Sequence, residues 1–228
     1  FEAAKPVTAD TLRPLGSYFW SRDSKYILYV QDKGGNENYH IYAVNPAEKL
    51  MEGMDVPTSR NLTNLSNVRA MIYSVPKSNP DLIYVGLNDR DASWHDLYEI
   101  RISNGEKKLL RKNEDRMVGW IFDHKDKLRL AMKSNPDGST DLLRLDNNGF
   151  TKIYSSSILE SYYPVNFHPD GQHIYMVTDV GDEINLSRLV LFNINTLKMS
   201  VIESDPEKRV DFGSASFSDI TQNMIATF

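Results

Sequence analysis

Few side chains in this sequence could bind a metal ion or perform catalysis. The five histidines stand at positions 40, 95, 124, 168 and 173, and no two of them have the four-residue spacing of a helical metal site. His168 and His173 flank a predicted turn, which places them at the edge of a strand pair. The chain has no cysteine, which excludes disulfides, thiolate zinc sites and a cysteine nucleophile. No local pattern indicates a Ser-His-Asp triad, so we predict no metal site, no cofactor and no catalytic residue.

Two polar loops contain the side chains best placed to contact a substrate or a partner. The first loop supplies Asn36, Glu37 and Asn38, and the second, predicted over 88–95, supplies Trp94 and His95. Trp94 stands in an otherwise polar segment, so we expect its ring to be exposed. Similar polar loops recur at 135–140 and 181–185, so turn formation is an alternative role for these residues.

Other aromatic and acidic residues allow two further interpretations. Trp20 and Trp120 stand near the beginnings of repeated units, where we expect them to fill space between sheets, with stacking on a sugar as the alternative. Asp179, Asp182 and Glu183 lie close together, as in a calcium loop. They lack the regular ligand spacing that calcium loops have, so turn formation is the favoured role.

The composition is that of a globular protein without a preference for nucleic acid. The chain has 228 residues, of which 40% are hydrophobic and 25% are charged, and its net charge is −5. The charge is spread along the sequence, whereas a nucleic-acid partner requires a basic face. No run approaches the roughly 18 apolar residues that a membrane helix needs. We therefore predict no nucleic-acid partner and no membrane span.

Two apolar strand patterns recur along the chain with the same period. The first has matching residues at positions 29, 84, 130, 176 and 226, which gives spacings of 55, 46, 46 and 50 residues. The second has matching residues at 42, 98, 143 and 190, always 13 or 14 residues after the first. A helical or loop insertion over Glu48–Asp55 explains the long first spacing. Two series with one period indicate a repeat of about 46 residues.

This period, with four strands in each unit, is typical of β-propellers. Short turns rich in Asp, Gly and Pro precede the first apolar strand of each unit, as expected for hairpins. We predict an all-β fold, a β-propeller of four-stranded antiparallel blades, with about four full blades and a partial blade at each end. Residues 5–8 are predicted as an outer strand that closes a preceding blade. We expect one domain over 1–228, and a fragment of a larger propeller is favoured over a five-bladed ring.

Part of the first unit resembles a known family. The run Tyr18–Val30, YFWSRDSKYILYV, and the following segment Gly34–Tyr42, GGNENYHIY, resemble the amino-terminal propeller of prolyl-oligopeptidase-family serine peptidases. The dipeptidyl and acylaminoacyl peptidase branches are the most similar in style. The segment Phe167–Val177 also resembles the repeats of TolB-like periplasmic propellers. The resemblance is close only over Tyr18–Val44, although the repeats extend it to nearly the whole chain.

The resemblance implies that the propeller precedes a carboxy-terminal α/β-hydrolase domain of the same protein. In that family the hydrolase domain has the Ser-Asp-His triad, and the propeller screens access so that peptides enter. This sequence contains no Gly-x-Ser-x-Gly nucleophile elbow and no Glu-Glu pair of the kind that dipeptidyl peptidases use to hold the substrate amino terminus. The chain alone is therefore predicted to be inactive, and membership of the aminopeptidase branch is left open.

The leading functional hypothesis follows from this resemblance. It is a non-catalytic propeller that gates and positions peptide substrates for the hydrolase domain. The first alternative is a TolB-like propeller that acts as a protein-binding module, and the second is a carbohydrate-binding propeller. A periplasmic or secreted location is favoured over a cytoplasmic one.

Overall fold

The structure, a computed structural model, describes residues 3–11, 13–181 and 185–228. Within these ranges the chain consists of β-strands joined by turns and loops. It divides into two compact units, Phe1–Asp115 and Arg116–Phe228, which are described separately below. Among the described residues, no helix has the length and apolar character needed to cross a membrane.

The first unit contains two four-stranded antiparallel sheets, which we call blade 1 and blade 2. Blade 1 has the strand order β1-β2-β3-β4, and blade 2 has the order β5-β6-β7-β8. The strands are β1 (Ser17–Trp20), β2 (Ile27–Gln31), β3 (His40–Val44), β4 (Ser59–Asn61), β5 (Ala70–Ser74), β6 (Leu82–Asp91), β7 (Trp94–Arg101) and β8 (Lys107–Arg111).

The second unit contains blade 3, blade 4 and a two-stranded sheet. Each blade again places its four strands in chain order, and β17 pairs with β18. The strands are β9 (Met117–Phe122), β10 (Leu128–Ser134), β11 (Thr140–Asp146), β12 (Gly149–Ser156), β13 (Tyr162–Phe167), β14 (His173–Thr178), β15 (Arg188–Asn193), β16 (Met199–Glu203), β17 (Ala215–Phe217) and β18 (Met224–Thr227). The predicted all-β propeller of four-stranded antiparallel blades is confirmed.

The blades of the first unit bury an apolar core between them. Leu28 and Ile41 of blade 1 pack in one cluster with Ile83 and Val85 of blade 2. Alternate residues of a strand point to opposite faces, so the second and third strands can direct every other aliphatic side chain into this core. Burial of each such side chain stabilises the fold by roughly 1.5–3 kcal/mol. This is why a single blade cannot be stable alone.

The second unit repeats this arrangement. Leu130 and Leu142 of blade 3 pack with Ile174 and Val190 of blade 4 in one buried cluster. Another cluster joins blade 4 to the two-stranded sheet, where Phe212 and partly buried residues of β17 and β18 cover the opposite face of β14 and β15.

Cations also connect neighbouring blades through backbone carbonyl groups. Arg60 of blade 1 donates to the carbonyl of Ser103, just after β7 of blade 2. Arg144 of blade 3 donates to the carbonyl of Ile194, at 2.7 Å, just after β15 of blade 4. Charge-assisted hydrogen bonds of this kind are stronger than neutral ones, so they fix the register of adjacent blades.

Three local predictions need comment. Residues 5–8, predicted as an outer strand, form no strand, because an outer strand needs a neighbour in its own blade and no described strand pairs with them. Trp120 is buried as expected, but Trp20 is 53% exposed, so the prediction of a core position for Trp20 was wrong. The reason is the strand alternation, since the adjacent Phe19 takes the face that packs on the core. The Glu48–Asp55 insertion is a loop with turns rather than a helix.

Candidate functional site

The predicted contact residues lie where the second strand of a blade turns into the third. Antiparallel strands alternate in direction, so this turn and the connection to the next blade lie at the same end of the sheet. We call this end the loop end of a blade. The loop end of blade 1 has the segment between β2 and β3, with Asn36, Glu37 and Asn38, and the loop end of blade 2 has the β6–β7 hairpin, with Trp94 and His95.

The β2–β3 loop is organised around a buried carboxylate. Asp32 accepts the backbone N–H of Glu37 at 3.1 Å and forms an ion pair with Arg13 at 3.4 Å. Gly34, Gly35 and Glu37 all have positive φ, which explains the glycine-rich sequence of the reversal. The side-chain oxygen of Asn36 accepts the N–H of Asn38 at 3.1 Å, a turn-forming contact.

Some polar groups of this loop take no part in forming the turn and face solvent. The side chains of Asn36 and Glu37 are exposed, and Asn38 is half-buried. The oxygen of Asn36 is occupied by the turn, so its amide nitrogen and the Glu37 carboxylate are the groups that face solvent. The structure is compatible with both turn formation and ligand contact.

The β6–β7 hairpin is longer than the sequence indicated. The segment 88–95 was predicted as a loop, but β6 continues to Asp91 and β7 begins at Trp94, so this prediction was wrong. The two strands pair again at Asp91 and Trp94 after a register shift, which extends the hairpin beyond the apolar core. Trp94 is half-buried rather than freely exposed.

A polar network supports the base of this hairpin. The Arg90 guanidinium donates two hydrogen bonds to Asp96, at 2.7 and 2.8 Å, and a third to the carbonyl of Asn113 at 2.9 Å. Asp96 also accepts the N–H of Asn113 at 2.6 Å, and its side chain is only 1% exposed. The Asn113 side chain donates to the carbonyl of His95 at 3.1 Å. A bidentate pair of this kind holds the arginine in one orientation.

The electrostatics of the network keep both partners charged. Burial alone would raise the pKa of the Asp96 carboxyl, but the hydrogen bonds from Arg90 and from the Asn113 N–H hold that pKa below its ordinary value. The hydrogen bonds from Arg90 to Asp96 raise the pKa of the arginine. Arg90 therefore presents a permanent, oriented cation at the loop end of blade 2.

His95 stands beside this network and is half-buried. Burial, together with the positive charge of Arg69, lowers the pKa of His95 from its ordinary 6.5, so the ring is neutral at pH 7. Its Nε2 atom is buried and accepts or donates no hydrogen bond among the described residues. Gly86 lies directly below, where an added methyl group would stand 2.6 Å from the Tyr73 ring and 2.9 Å from His95 Cβ. Glycine is thus required for this close approach.

Arg69, in the connection between β4 and β5, links the two predicted loops. Its guanidinium lies 5.4 Å from the centre of the Tyr39 ring, next to Asn38. Its backbone N–H donates to the side-chain oxygen of Asn88 at 2.7 Å, at the base of the β6–β7 hairpin. Arg69 therefore lies between the segment that follows Asn38 and the base of the β6–β7 hairpin.

Sequence reasoning missed the residues that organise the loop ends of blades 1 and 2. Arg69, Arg90 and Asp96 were not predicted. A signal was available, because Asp96 interrupts the apolar pattern of a strand and stands six residues after Arg90 across a short turn. The arrangement has oriented hydrogen-bond donors and a neutral imidazole.

A second polar cluster lies at the turn between β13 and β14. The potential ligand atoms of His168, Asp170 and His173 lie within 4.8 Å of one another. Asp170 accepts the N–H of Gln172 at 2.8 Å and contacts His173 Nδ1 at 2.6 Å. These contacts order the turn that the sequence predicted, and both histidines lie beside it.

The hydrogen bonds of this cluster oppose metal binding. The Asn193 side-chain oxygen accepts the N–H groups of Asn195 and Thr196, so its NH₂ group faces His173 Nε2 at 3.0 Å. His173 Nε2 must then be the acceptor, which places the proton on Nδ1 and directs it to Asp170. A metal ion at His173 Nδ1 would require the proton to be on His173 Nε2, where it would face the hydrogens of the Asn193 amide.

Only part of the candidate calcium loop lies within the described residues. Asp179 accepts the Ser161 N–H at 2.6 Å and the Ser161 hydroxyl at 3.0 Å, so its carboxylate orders a turn. Asp182 and Glu183 lie outside the described residues.

Sequence comparison finds relatives among peptidases. The chain is 35% identical to dipeptidyl aminopeptidase BIII of Pseudoxanthomonas mexicana over 214 residues, which is 92% of this chain and 29% of that protein. It is 26% identical to dipeptidyl peptidase family member 6 of Caenorhabditis elegans over 83% of this chain and 26% of that protein. The chain thus spans less than a third of the length of these curated relatives. No protein-family model matches it.

Solved structures with the same fold include both propeller groups that the sequence resembles. TolB from Acinetobacter baumannii matches 92% of this chain, and 47% of its own chain, with a TM-score of 0.57 and 18% identity. Prolyl oligopeptidase B from Galerina marginata matches 96% of this chain, and 32% of its own, with a TM-score of 0.56 and 13% identity. At these identities the likeness establishes the fold alone.

Proposed function

We propose that this chain, a β-propeller of the prolyl-oligopeptidase family, is the non-catalytic part of a serine peptidase. In this role it gates and positions peptide substrates for an α/β-hydrolase domain that follows it in the same protein. Hydrolysis takes place on the hydrolase domain, and the propeller determines which substrates reach it.

The observation that carries this proposal is the 35% identity with a dipeptidyl aminopeptidase over 92% of the chain. Identity at that level extends through the blades rather than through a short motif. The sequence itself contains no nucleophile elbow, so the chain is suited to a supporting role in such an enzyme.

The loop ends of blades 1 and 2 supply the chemistry for positioning a peptide. Arg90 is partly exposed, and its Nη1 group donates to no described residue. A peptide carbonyl or carboxylate could accept from this group without disturbing the bonds to Asp96. We place further peptide contacts at Asn36, Glu37, Asn38, Trp94 and His95, on the same surface.

The TolB likeness supports the same fold but favours no second function here. TolB is 18% identical to this chain, whereas the sequence relatives with higher identity are peptidases. A protein-binding module would be the better description if the full-length protein had no reactive serine.

The test compares variants in the full-length protein, meaning this chain with the rest of its own polypeptide. We expect Trp94→Ala and Glu37→Gln to raise KM for short peptides several-fold and to leave labelling of the reactive serine by a fluorophosphonate unchanged. Lys108→Ala, on the exposed outer strand of blade 2, is the matched control and should behave as wild type. Unchanged KM in both variants would refute the positioning role, and absence of a reactive serine would refute the proposed function itself.

A further inference from the structure

One loop of the second unit presents large aliphatic side chains to solvent at the loop end of its blades. The connection between β12 and β13 contains Ile158, which is 70% exposed, and Leu159, which is 89% exposed. Tyr163, at the beginning of β13, is exposed as well. We refer to Ser157–Glu160 as the apolar loop. Exposed aliphatic residues that stand together commonly mark an interaction surface.

Exposure of apolar residues is not a requirement of this type of connection. The corresponding connection in the first unit joins β4 to β5 and contains Leu62, Leu65 and Val68. Leu62 and Val68 are buried in the core between blades 1 and 2, and Leu65 packs against that core. The aliphatic side chains of the apolar loop are exposed instead, so they contribute little to the core of their own unit.

Hydrogen bonds hold the apolar loop in a defined shape. The Glu160 carboxylate accepts the Ser157 hydroxyl at 2.8 Å, the Ser157 N–H at 3.2 Å and the Gly181 N–H at 3.1 Å. The Ser157 hydroxyl and these N–H groups hold the pKa of Glu160 below its ordinary value. The loop is therefore tied both to itself and to the connection after β14.

The neighbouring hairpin supports the loop from below. An added methyl group at Gly138, in the β10–β11 turn, would stand 2.5 Å from Ile158 Cδ1, so the isoleucine lies directly against this turn. A pre-ordered surface loses less conformational entropy on binding than a mobile one. The Glu160 carboxylate already accepts three hydrogen bonds, so covering the aliphatic side chains does not strip it of its hydrogen-bond donors.

We propose that the apolar loop is a docking contact for the hydrolase domain of the same protein. This inference rests on the proposed function, and it assigns the partner surface to Ile158 and Leu159. The chain spans 29% of the length of dipeptidyl aminopeptidase BIII, so most of that relative lies outside the region matched here. A domain within the same polypeptide has a high effective concentration, so a contact of a few aliphatic side chains is sufficient to bias docking.

The test uses the full-length protein with three substitutions. Leu159→Asp places a charge in the proposed contact, Leu159→Met keeps an apolar side chain there, and Ile220→Asp is the control. Ile220 is 93% exposed in the β17–β18 turn, so the control changes an equally open aliphatic residue elsewhere. Hydrogen–deuterium exchange of the segment 157–163 reports docking, and fluorophosphonate labelling reports the reactive serine.

We expect L159D to raise the exchange rate of this segment at least tenfold, while L159M and I220D match wild type. All four proteins should label with one fluorophosphonate per chain. If L159D exchanges like wild type while labelling persists, the docking assignment is wrong and the proposed function stands. The assignment is also wrong if I220D accelerates exchange as much as L159D. If the wild-type protein does not label, the proposed function has failed.

Discussion

Substitution of Asp96 by alanine tests the network that supports the β6–β7 hairpin. The change removes a carboxylate that is 1% exposed, accepts two hydrogen bonds from Arg90 and accepts the buried N–H of Asn113. Loss of one partner of a buried ion pair costs about 3–5 kcal/mol. The Arg90 side chain is 36% exposed and can turn to solvent, so we expect the lower end, about 3 kcal/mol. For a chain of this length this lowers Tm by about 6–12 °C.

The assay is urea unfolding followed by tryptophan fluorescence, with thermal unfolding as a second measurement. Glu106→Ala is the matched control, because Glu106 is 68% exposed and its contact with Arg101 is 3.7 Å long. A surface pair of this kind contributes less than about 1 kcal/mol. Asp96→Asn should lie between the two, since an amide oxygen still accepts the Asn113 N–H. If D96A costs no more than E106A, the network does not stabilise the hairpin and this account of the site is wrong.

Three further predictions concern the fold. In urea unfolding, Gly86→Ala should destabilise the protein by about 1–3 kcal/mol, because the added methyl group would overlap a tyrosine ring at 2.6 Å. Gly119→Ala is the control and should be tolerated, because its methyl group would meet its nearest neighbour at 3.7 Å. Ile83→Ala, in the core between blades 1 and 2, should cost about 2–5 kcal/mol, and Ile225→Ala on the exposed surface should cost less than 1 kcal/mol in the same assay. Burial opposes the charge of Asp123, but hydrogen bonds from Arg129 and nearby N–H groups lower the pKa of this carboxyl. The ionised carboxylate therefore stabilises the fold fully above its unfolded pKa of about 3.9, and this stabilisation is lost as pH falls below that value. The free energy of unfolding of Asp123→Asn should accordingly depend less on pH than that of wild type between about pH 5 and 2.

The strands were predictable because their pattern is local and periodic. The apolar runs at 82–85, 128–131 and 174–177 all lie within observed strands, since β-branched and aromatic residues mark a half-buried pleated surface wherever they occur. Positive φ at Gly34 and Gly35 was also predictable, because glycine favours it, whereas the positive φ of Glu37 was not. These features depend on a few adjacent residues.

The organising contacts of the site were not predictable in the same way. Arg90 and Asp96 meet because β6 and β7 extend past the core and pair again at Asp91 and Trp94, which depends on a register shift. Trp20 was expected in the core because it begins a unit, but the face that a strand residue takes depends on the whole register of the sheet. Contacts of this kind require the paired strands to be known first.

Fluorophosphonate labelling followed by intact mass measurement tests the central claim most directly. The claim is that this chain supports peptide hydrolysis without taking part in the chemistry. We predict that the purified 228-residue chain gains no label and cleaves no peptide amide, and that the full-length protein gains one label, at a serine in a Gly-x-Ser-x-Gly segment outside this chain. Stoichiometric labelling of any serine within the 228 residues would contradict the account.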